Sequence, residues 1–371
     1  MSGKKTLKRN TIYLPQFTIG EEAFDAFSGE MGAYGDKAAV IYGEKAWAAS
    51  KDYILPAFQQ AGIRLAGSML YGHDATYENM ERIAGNPEIR NADFLLAVGG
   101  GKCIDTVKLA GDRMGKPVFT IPSIASNCAP VTKISIMYHE DGSFRAIDRL
   151  RTVPVHCFIN PNIILAAPVR YLWAGVGDAM AKNVESEWSA KAGERLNYGS
   201  ELGIMAGRLC FGPIIRDAKQ ALADAAAGQN SKELEQTILN VVVTPGITSV
   251  SVDPEYNGGI AHALFYGLTS RHHIEKNHLH GEVVSYGSLV NLMLDVMQGG
   301  SGERLRAAYA FNKTVKLPVC LADLELEESD PLADVLEVTM ANQELVHTPY
   351  PVTKELVYQA IQNLEKFRIE S

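Results

Sequence analysis

The sequence predicts two domains: an α/β N-terminal domain built on a parallel sheet with helices on both faces, then an all-α C-terminal domain. Three observations predict it. Up to Asn160, short apolar runs alternate with stretches of helical period, which is the signature of β-α-β-α order. Beyond Pro168, apolar positions recur at three and four residues for most of the remaining chain. At 371 residues the chain is also long for one core. The change of character at Asn160–Pro168 (NPNIILAAP) sets the expected domains at 1–164 and 165–371.

The elements follow in order. Lys37–Tyr42 (KAAVIY) reads as a strand, and Lys45–Gly62 has helical period. Arg64–Tyr71 is strand-like and Tyr77–Ala84 helical. Phe94–Val98 (FLLAV) is an unbroken apolar run, as expected of a strand buried on both faces, and a helix follows its glycines. Pro117–Ile121 is the next strand. Ile134–His139 and Ala146–Asp148 are expected to add a hairpin. In the second half, Val169–Ala192, Asn197–Ala227, Ser231–Val242 and Glu282–Met297 read as helices. Glu325–Asp330 reads as an exposed acidic connection.

Composition excludes several function classes. The chain is 46% apolar and 21% charged, with a net charge of −8. That balance speaks against nucleic acid and anionic membranes as partners. The basic residues Lys4, Lys5, Lys8 and Arg9 read as a solvated tail, and no apolar signal-peptide core follows them. No stretch is long and apolar enough to span a bilayer. The five cysteines (Cys103, Cys128, Cys157, Cys210, Cys320) form no Cys-x-x-Cys pair, so neither a zinc ribbon nor a disulfide framework is expected. A reducing cytoplasm is the expected compartment.

The strongest local signal is Gly99-Gly100-Gly101-Lys102, between a buried strand and a helix. Glycines there let the backbone approach a pyrophosphate, and the helix start offers free N–H donors with partial positive charge. The spacing is not that of G-x-G-x-x-G, and a plain tight turn is the alternative. Glu44, just past an early strand, is placed to hold an adenosine ribose, which would favour NAD over NADP. Otherwise it is a helix-start acid favoured by the dipole.

A second signal is Asp178, His262 and His280, each in its own helical segment. Two histidines and an acid suit a catalytic metal with an open position, although spacing alone does not bring them together. In Arg271–His280 (RHHIEKNHLH), His272, His273 and His278 are expected in a loop, with His280 alone turned inward. His73, Asp74 and Glu78 read as a solvated turn and helix start, and Glu325, Glu327 and Glu328 as solvated acids.

Together, GGGKxxDTxK, PSIASNCAP, GDAMAK and AHALFYGLT…HLHGE resemble the glycerol dehydrogenase branch of the iron-containing alcohol dehydrogenases, in order over nearly the whole chain. The resemblance implies a dehydroquinate synthase-like, glycerol dehydrogenase-like fold, with an NAD(P)-binding first domain, a metal- and substrate-binding second domain and the active site between them. It implies that Asp178, His262 and His280 hold a divalent metal: zinc first, with iron, manganese or nickel as alternatives. It places Gly99, Gly100, Gly101, Lys102 and Asp105 at the pyrophosphate, Glu44 at the ribose, and Ser123, Ser126, Thr132, Ile134 and Tyr138 along the cofactor groove. Lys182 stands where iron-type members carry a further histidine, and Tyr266 where many carry another.

Cys128 departs from the glycerol dehydrogenases, which have an aspartate there that contacts the polyol. A cysteine at that position is similar to the hydroxycarboxylate dehydrogenase subgroup, as is Asn160–Gly175. A substrate carboxylate about 4 Å from a fixed aspartate would meet roughly 4 kcal/mol of repulsion, which a neutral cysteine removes. Otherwise Cys128 is a small apolar filler. The expected activity is therefore NAD(P)-linked interconversion of a small 2-oxo acid and its 2-hydroxy acid, with glycerol or another polyol as the alternative substrate. The metal would act as a Lewis acid on the substrate hydroxyl, and the nicotinamide would take the hydride. Lys133 and Arg145 read as surface residues. A lyase of the dehydroquinate synthase type is disfavoured by the lack of a basic cluster, and a non-catalytic binder by the intact Asp178, His262 and His280. The expected partners are a small-molecule substrate and further copies of the chain.

Overall fold

The computed structural model describes residues 11–193, 195–327 and 330–367. The basic tail and Glu328 lie outside them. The first half holds a six-stranded parallel sheet in the order β1-β8-β5-β4-β2-β3. Its strands are β1 (Phe17–Ile19), β2 (Lys37–Tyr42), β3 (Arg64–Leu70), β4 (Phe94–Gly99), β5 (Val118–Pro122) and β8 (His156–Ile159). The antiparallel hairpin β6 (Ile134–Tyr138) and β7 (Phe144–Arg149) stands apart from the sheet. β1 and β8, three and four residues long, were too short for a periodic pattern to betray.

The sheet is covered on both faces. One face meets Phe24, Phe27, Ile54 and Phe58, with Phe119 and Phe158 pointing to them. The other meets Met80, Ile83, Ile104 and Val107, with Ile41 and Leu95 pointing to them. β4 is buried at every position, which accounts for its unbroken apolar run.

After Ile159 the chain is helical among the described residues. The long helices Arg170–Ser189, Lys232–Ser251 and His280–Met297 share one core around Trp188, Val241 and Tyr286. Asn197–Ala227 is two helices, Tyr198–Gly207 and Gly212–Ala226, broken at Phe211 just before Pro213. The helix from Lys232 runs through Pro245 to Ser251, well past Val242. His272–Asn277 is a short helix where a loop was expected.

Candidate active site

Connections leave β2 and β4 in opposite directions across the sheet, because β3 flanks β2 on one side while β4 and β5 continue on the other. The carboxyl ends of β2 and β4 therefore open a crevice at a switch in topology, where ligands of such sheets bind. The Gly43 amide donates to the Val98 carbonyl at 3.0 Å and ties the two ends together. Glu44, exposed, follows Gly43 on one side, and Gly99–Gly101 follow Val98 on the other. Gly101 opens the helix Gly101–Met114, whose first amides have no acceptor within it. A Cβ on Gly100 would meet Ile124 at 2.9 Å, and one on Gly101 would meet Asn127 at 2.8 Å. The following loop thus packs closely over these glycines.

That loop, Ser123–Val131, links the crevice to the helical half. The Ser123 amide donates to the Gly99 carbonyl at 3.0 Å. At its middle, Ser126 Cα lies where a Cβ on Gly175 would come within 2.8 Å. Farther on, Cβ of Cys128 and Val131 both face Gly246. Cys128 is half-buried, and burial, opposed by Lys182 and Lys108 and aided by Asp178, pushes its thiol up to about 11.

Asp178 comes from the middle of Arg170–Ser189. A Cβ on Gly177 would fall 2.4 Å from the Gly281 carbonyl oxygen, and one on Gly281 would fall 1.9 Å from that of Ala174. The two backbones touch, which sets Asp178 beside His280. Asp178 Oδ1 lies 3.2 Å from His280 Nε2 and 3.4 Å from His262 Nε2. One donor atom from each of the three residues lies within 4.8 Å of the others. Neighbouring ligands at about 2.0–2.1 Å from a tetrahedral zinc are themselves about 3.3 Å apart, so the donor set fits such an ion. The side chains of Asp178 and His262 are sheltered, while His280 is 46% exposed and leaves the centre open on that side. Phe265 packs edge-on against the His280 ring, with centroids 4.3 Å apart.

Behind His262 lies Glu185, fully buried. It accepts from His262 Nδ1 at 2.6 Å and from the His262 backbone amide at 2.8 Å. Burial lowers the His262 pKa, but Glu185 and Asp178 outweigh it and push the imidazole up to about 10. Burial likewise raises Asp178, yet the hydrogen bonds from His262 and His280 hold its carboxyl well below the usual range. The Asp178 carboxyl is thus held ionised at this spot.

Several of the expected residues have further partners in the structure. Asp105 is buried and paired with Lys108 at 2.8 Å, and its carboxylate accepts the Ile136 amide at 3.1 Å. It fastens the hairpin to the glycine helix. The buried Thr132 hydroxyl also accepts from Lys108, at 3.3 Å, and the Ile134 carbonyl does the same. A desolvated ammonium needs such partners. Lys102, exposed, pairs with Asp74 at 2.7 Å and lies 4.7 Å over the Tyr138 ring, so Asp74 is more than a solvated turn residue. His278 as well as His280 turns inward, bonding Glu282 at 2.9 Å. Arg145, exposed as expected, pairs with Glu78 at 3.3 Å, and Lys133 is half-buried. Tyr266 meets Phe144 of the hairpin, with centroids 6.1 Å apart, one contact between the hairpin and the helical half.

Glu185, Lys108 and Asn127 were missed. Glu185 had a signal: it lies seven residues after Asp178, two turns along the same helix face.

An iron-containing alcohol dehydrogenase family model matches residues 15–161. A glycerol dehydrogenase of Thermotoga maritima is 28% identical over 96% of this chain and 97% of its own. Hydroxycarboxylate dehydrogenase A of Escherichia coli is 30% identical over 90% of each chain. The crystal structure of a probable glycerol dehydrogenase from Sinorhizobium meliloti superposes with a TM-score of 0.81 at 26% identity, covering 97% of this chain and 99% of its own.

Proposed function

From a chain that belongs to the iron-containing alcohol dehydrogenase family, and is therefore an oxidoreductase acting on CH–OH groups, we propose a divalent-metal, nicotinamide-dependent dehydrogenase of small alcohols with a second oxygen beside the reacting one. The observation that carries it is the convergence of Asp178, His262 and His280, backed by Glu185, on a helix whose Gly175 packs against the loop that is hydrogen-bonded to the glycine turn. A bound cation would polarise the substrate hydroxyl and a bound nicotinamide would accept the hydride. The chain's part is positional. Glu185 fixes the ring and tautomer of His262. Asp178 is pinned by backbone contact between two helices. Glu44 suits a ribose diol better than a 2′-phosphate, which favours NAD, and Gly99–Lys102 with Ser123, Ser126 and Tyr138 would line the cofactor's path.

Two substrate classes suit this centre. A polyol such as glycerol is supported by the names of several relatives, including those of Thermotoga maritima and Sinorhizobium meliloti. A 2-hydroxy acid is favoured by one specific observation: a neutral cysteine, Cys128, on the loop beside Asp178. All five cysteines are free, in keeping with a reducing cytoplasm, and among the described residues no helix is long and apolar enough to cross a membrane. Exposed Tyr198, Met205 and Leu209 support self-association. The test is a panel of polyols with NAD⁺ or NADP⁺ and of 2-oxo acids with NADH or NADPH, before and after chelator treatment and zinc restoration. Turnover that survives complete metal removal sinks the reading.

A further inference from the structure

Lys182 lies one helical turn beyond Asp178 and one turn before Glu185, so the three share a face of Arg170–Ser189. It is half-buried, and its ammonium donates to the Asn257 carbonyl at 3.1 Å. Among the described residues no carboxylate pairs with it. Neighbouring cations are served differently: Lys108 pairs with Asp105 at 2.8 Å, Lys191 with Asp295 at 2.5 Å and Arg304 with Glu187 at 2.7 Å. An ammonium has three donors, and a single backbone carbonyl leaves two for another acceptor.

Asp178 and Glu185 do not fill that place: neither forms an ion pair with Lys182, while Asp178 Oδ1 faces His262 and His280 and Glu185 holds His262. Once a divalent cation is held there by neutral imidazoles, the two carboxylates balance its charge. Lys182, half-buried, would then carry one positive charge that no carboxylate among the described residues pairs with, and a substrate carboxylate would neutralise it. The charge of Lys182 is also felt at Cys128, which puts its influence on the wall of the cleft formed by the Ser123–Val131 loop.

We propose that Lys182 anchors the substrate carboxylate and selects 2-oxo and 2-hydroxy monocarboxylates over neutral polyols. The inference rests on the metal-centre reading above and decides between its two substrate classes. Its test compares 2-oxobutanoate with 1-hydroxybutan-2-one, which share a carbon chain and ketone and differ only in carboxylate against hydroxymethyl. Zinc-loaded enzyme and NADH are used with the wild type, Lys182→Met and Lys182→Arg. Loss of a charge-assisted bond predicts that the kcat/KM ratio of oxo acid to hydroxyketone falls about ten-fold or more in Lys182→Met, chiefly through KM. Lys182→Arg should keep most of it. The dissociation constant of oxamate, an unreactive carboxylate, should rise in parallel in Lys182→Met. Melting temperatures establish that each variant is folded, and Lys182→Gln replaces Lys182→Met if the latter is not. An unchanged ratio in a folded variant overturns the proposal. A wild type that reduces the hydroxyketone but not the oxo acid also overturns it, while leaving the dehydrogenase reading intact. Turnover of neither ketone, with metal and both nicotinamides supplied, overturns that reading and this inference together.

Discussion

Glu185 Oε2 accepts the Nδ1 proton of His262 at 2.6 Å, and this bond turns His262 Nε2 toward Asp178. A carboxylate behind a ligating imidazole fixes its tautomer and raises its basicity, and its loss typically costs 10–100-fold in metal affinity. Glu185→Gln keeps an acceptor but loses the charge. It is expected to weaken zinc binding about ten-fold while the fold persists, measured by competition with a chromophoric chelator. Unaltered affinity would reduce Glu185 to a packing residue.

The same bond sets a pH dependence. His262 is pushed up to about 10 by Glu185 and Asp178 against burial, so it is protonated in the metal-free protein at neutral pH. Its protonated form stabilises that metal-free fold fully below the ordinary imidazole value of about 6.5, and the contribution is lost as pH rises through about 10. Metal binding runs the other way, because the cation must displace this proton. Zinc affinity should therefore climb between pH 6.5 and 10, with about one proton released per ion from this group in calorimetry across buffers of different ionisation enthalpy. A flat profile would mean that His262 binds no metal.

Gly281 carries a different load. A Cβ there would sit 1.9 Å from the Ala174 carbonyl oxygen and 3.0 Å from Asp178 Cβ. Backbone cannot rotate out of the way, so the helices must part. Gly281→Ala should lower the melting temperature and abolish tight zinc binding together, whereas His280→Ala, at a half-exposed ring, should remove zinc binding and turnover while leaving the fold intact. Gly281→Ala protein that retains full zinc affinity would disprove this account of how Asp178 meets His280.

Much of this centre was legible in the sequence, and the reasons for success and failure are physical. The strand Phe94–Gly99 and the turn after it announced themselves because burial on both faces forces an unbroken apolar run and close packing forces glycine. Asp178, His262 and His280 stood out by residue type, but their meeting depends on a glycine contact between helices far apart in sequence. The contacts of Asp105 and Thr132 to a buried lysine were not legible, because a motif records position and not direction. That lysine, Lys108, looked like any helix lysine, and only three-dimensional packing distinguishes it.

Lys108 is 2% exposed, and besides Asp105 it donates to the Ala129 carbonyl at 2.8 Å and the Thr132 carbonyl at 3.3 Å. It thus clamps the end of the loop that carries Cys128. Lys108→Met strands the Asp105 carboxylate in the interior, and breaking a buried pair in this way costs about 3–5 kcal/mol. The double variant Asp105→Asn/Lys108→Met should recover much of that loss in urea denaturation. A double variant less stable than Lys108→Met would show that the pair is not the unit of stability.

Cys128 tests the substrate argument from the other side. Burial pushes its thiol up to about 11, with Lys182 opposing and Asp178 assisting, so the residue is neutral at working pH. Cys128→Asp would place a negative charge on the same wall, repel a substrate carboxylate and compete for Lys182. Two charges about 4 Å apart at an effective dielectric of about 20 repel by roughly 4 kcal/mol, and even a third of that is about ten-fold in rate. The variant should therefore lower the kcat/KM ratio of 2-oxobutanoate to dihydroxyacetone by at least about ten-fold. Cys128→Ser, uncharged and similar in size, should leave the ratio close to that of the wild type. If Asp and Ser shift it equally, the effect is one of shape, and charge at position 128 has no part in choosing the substrate.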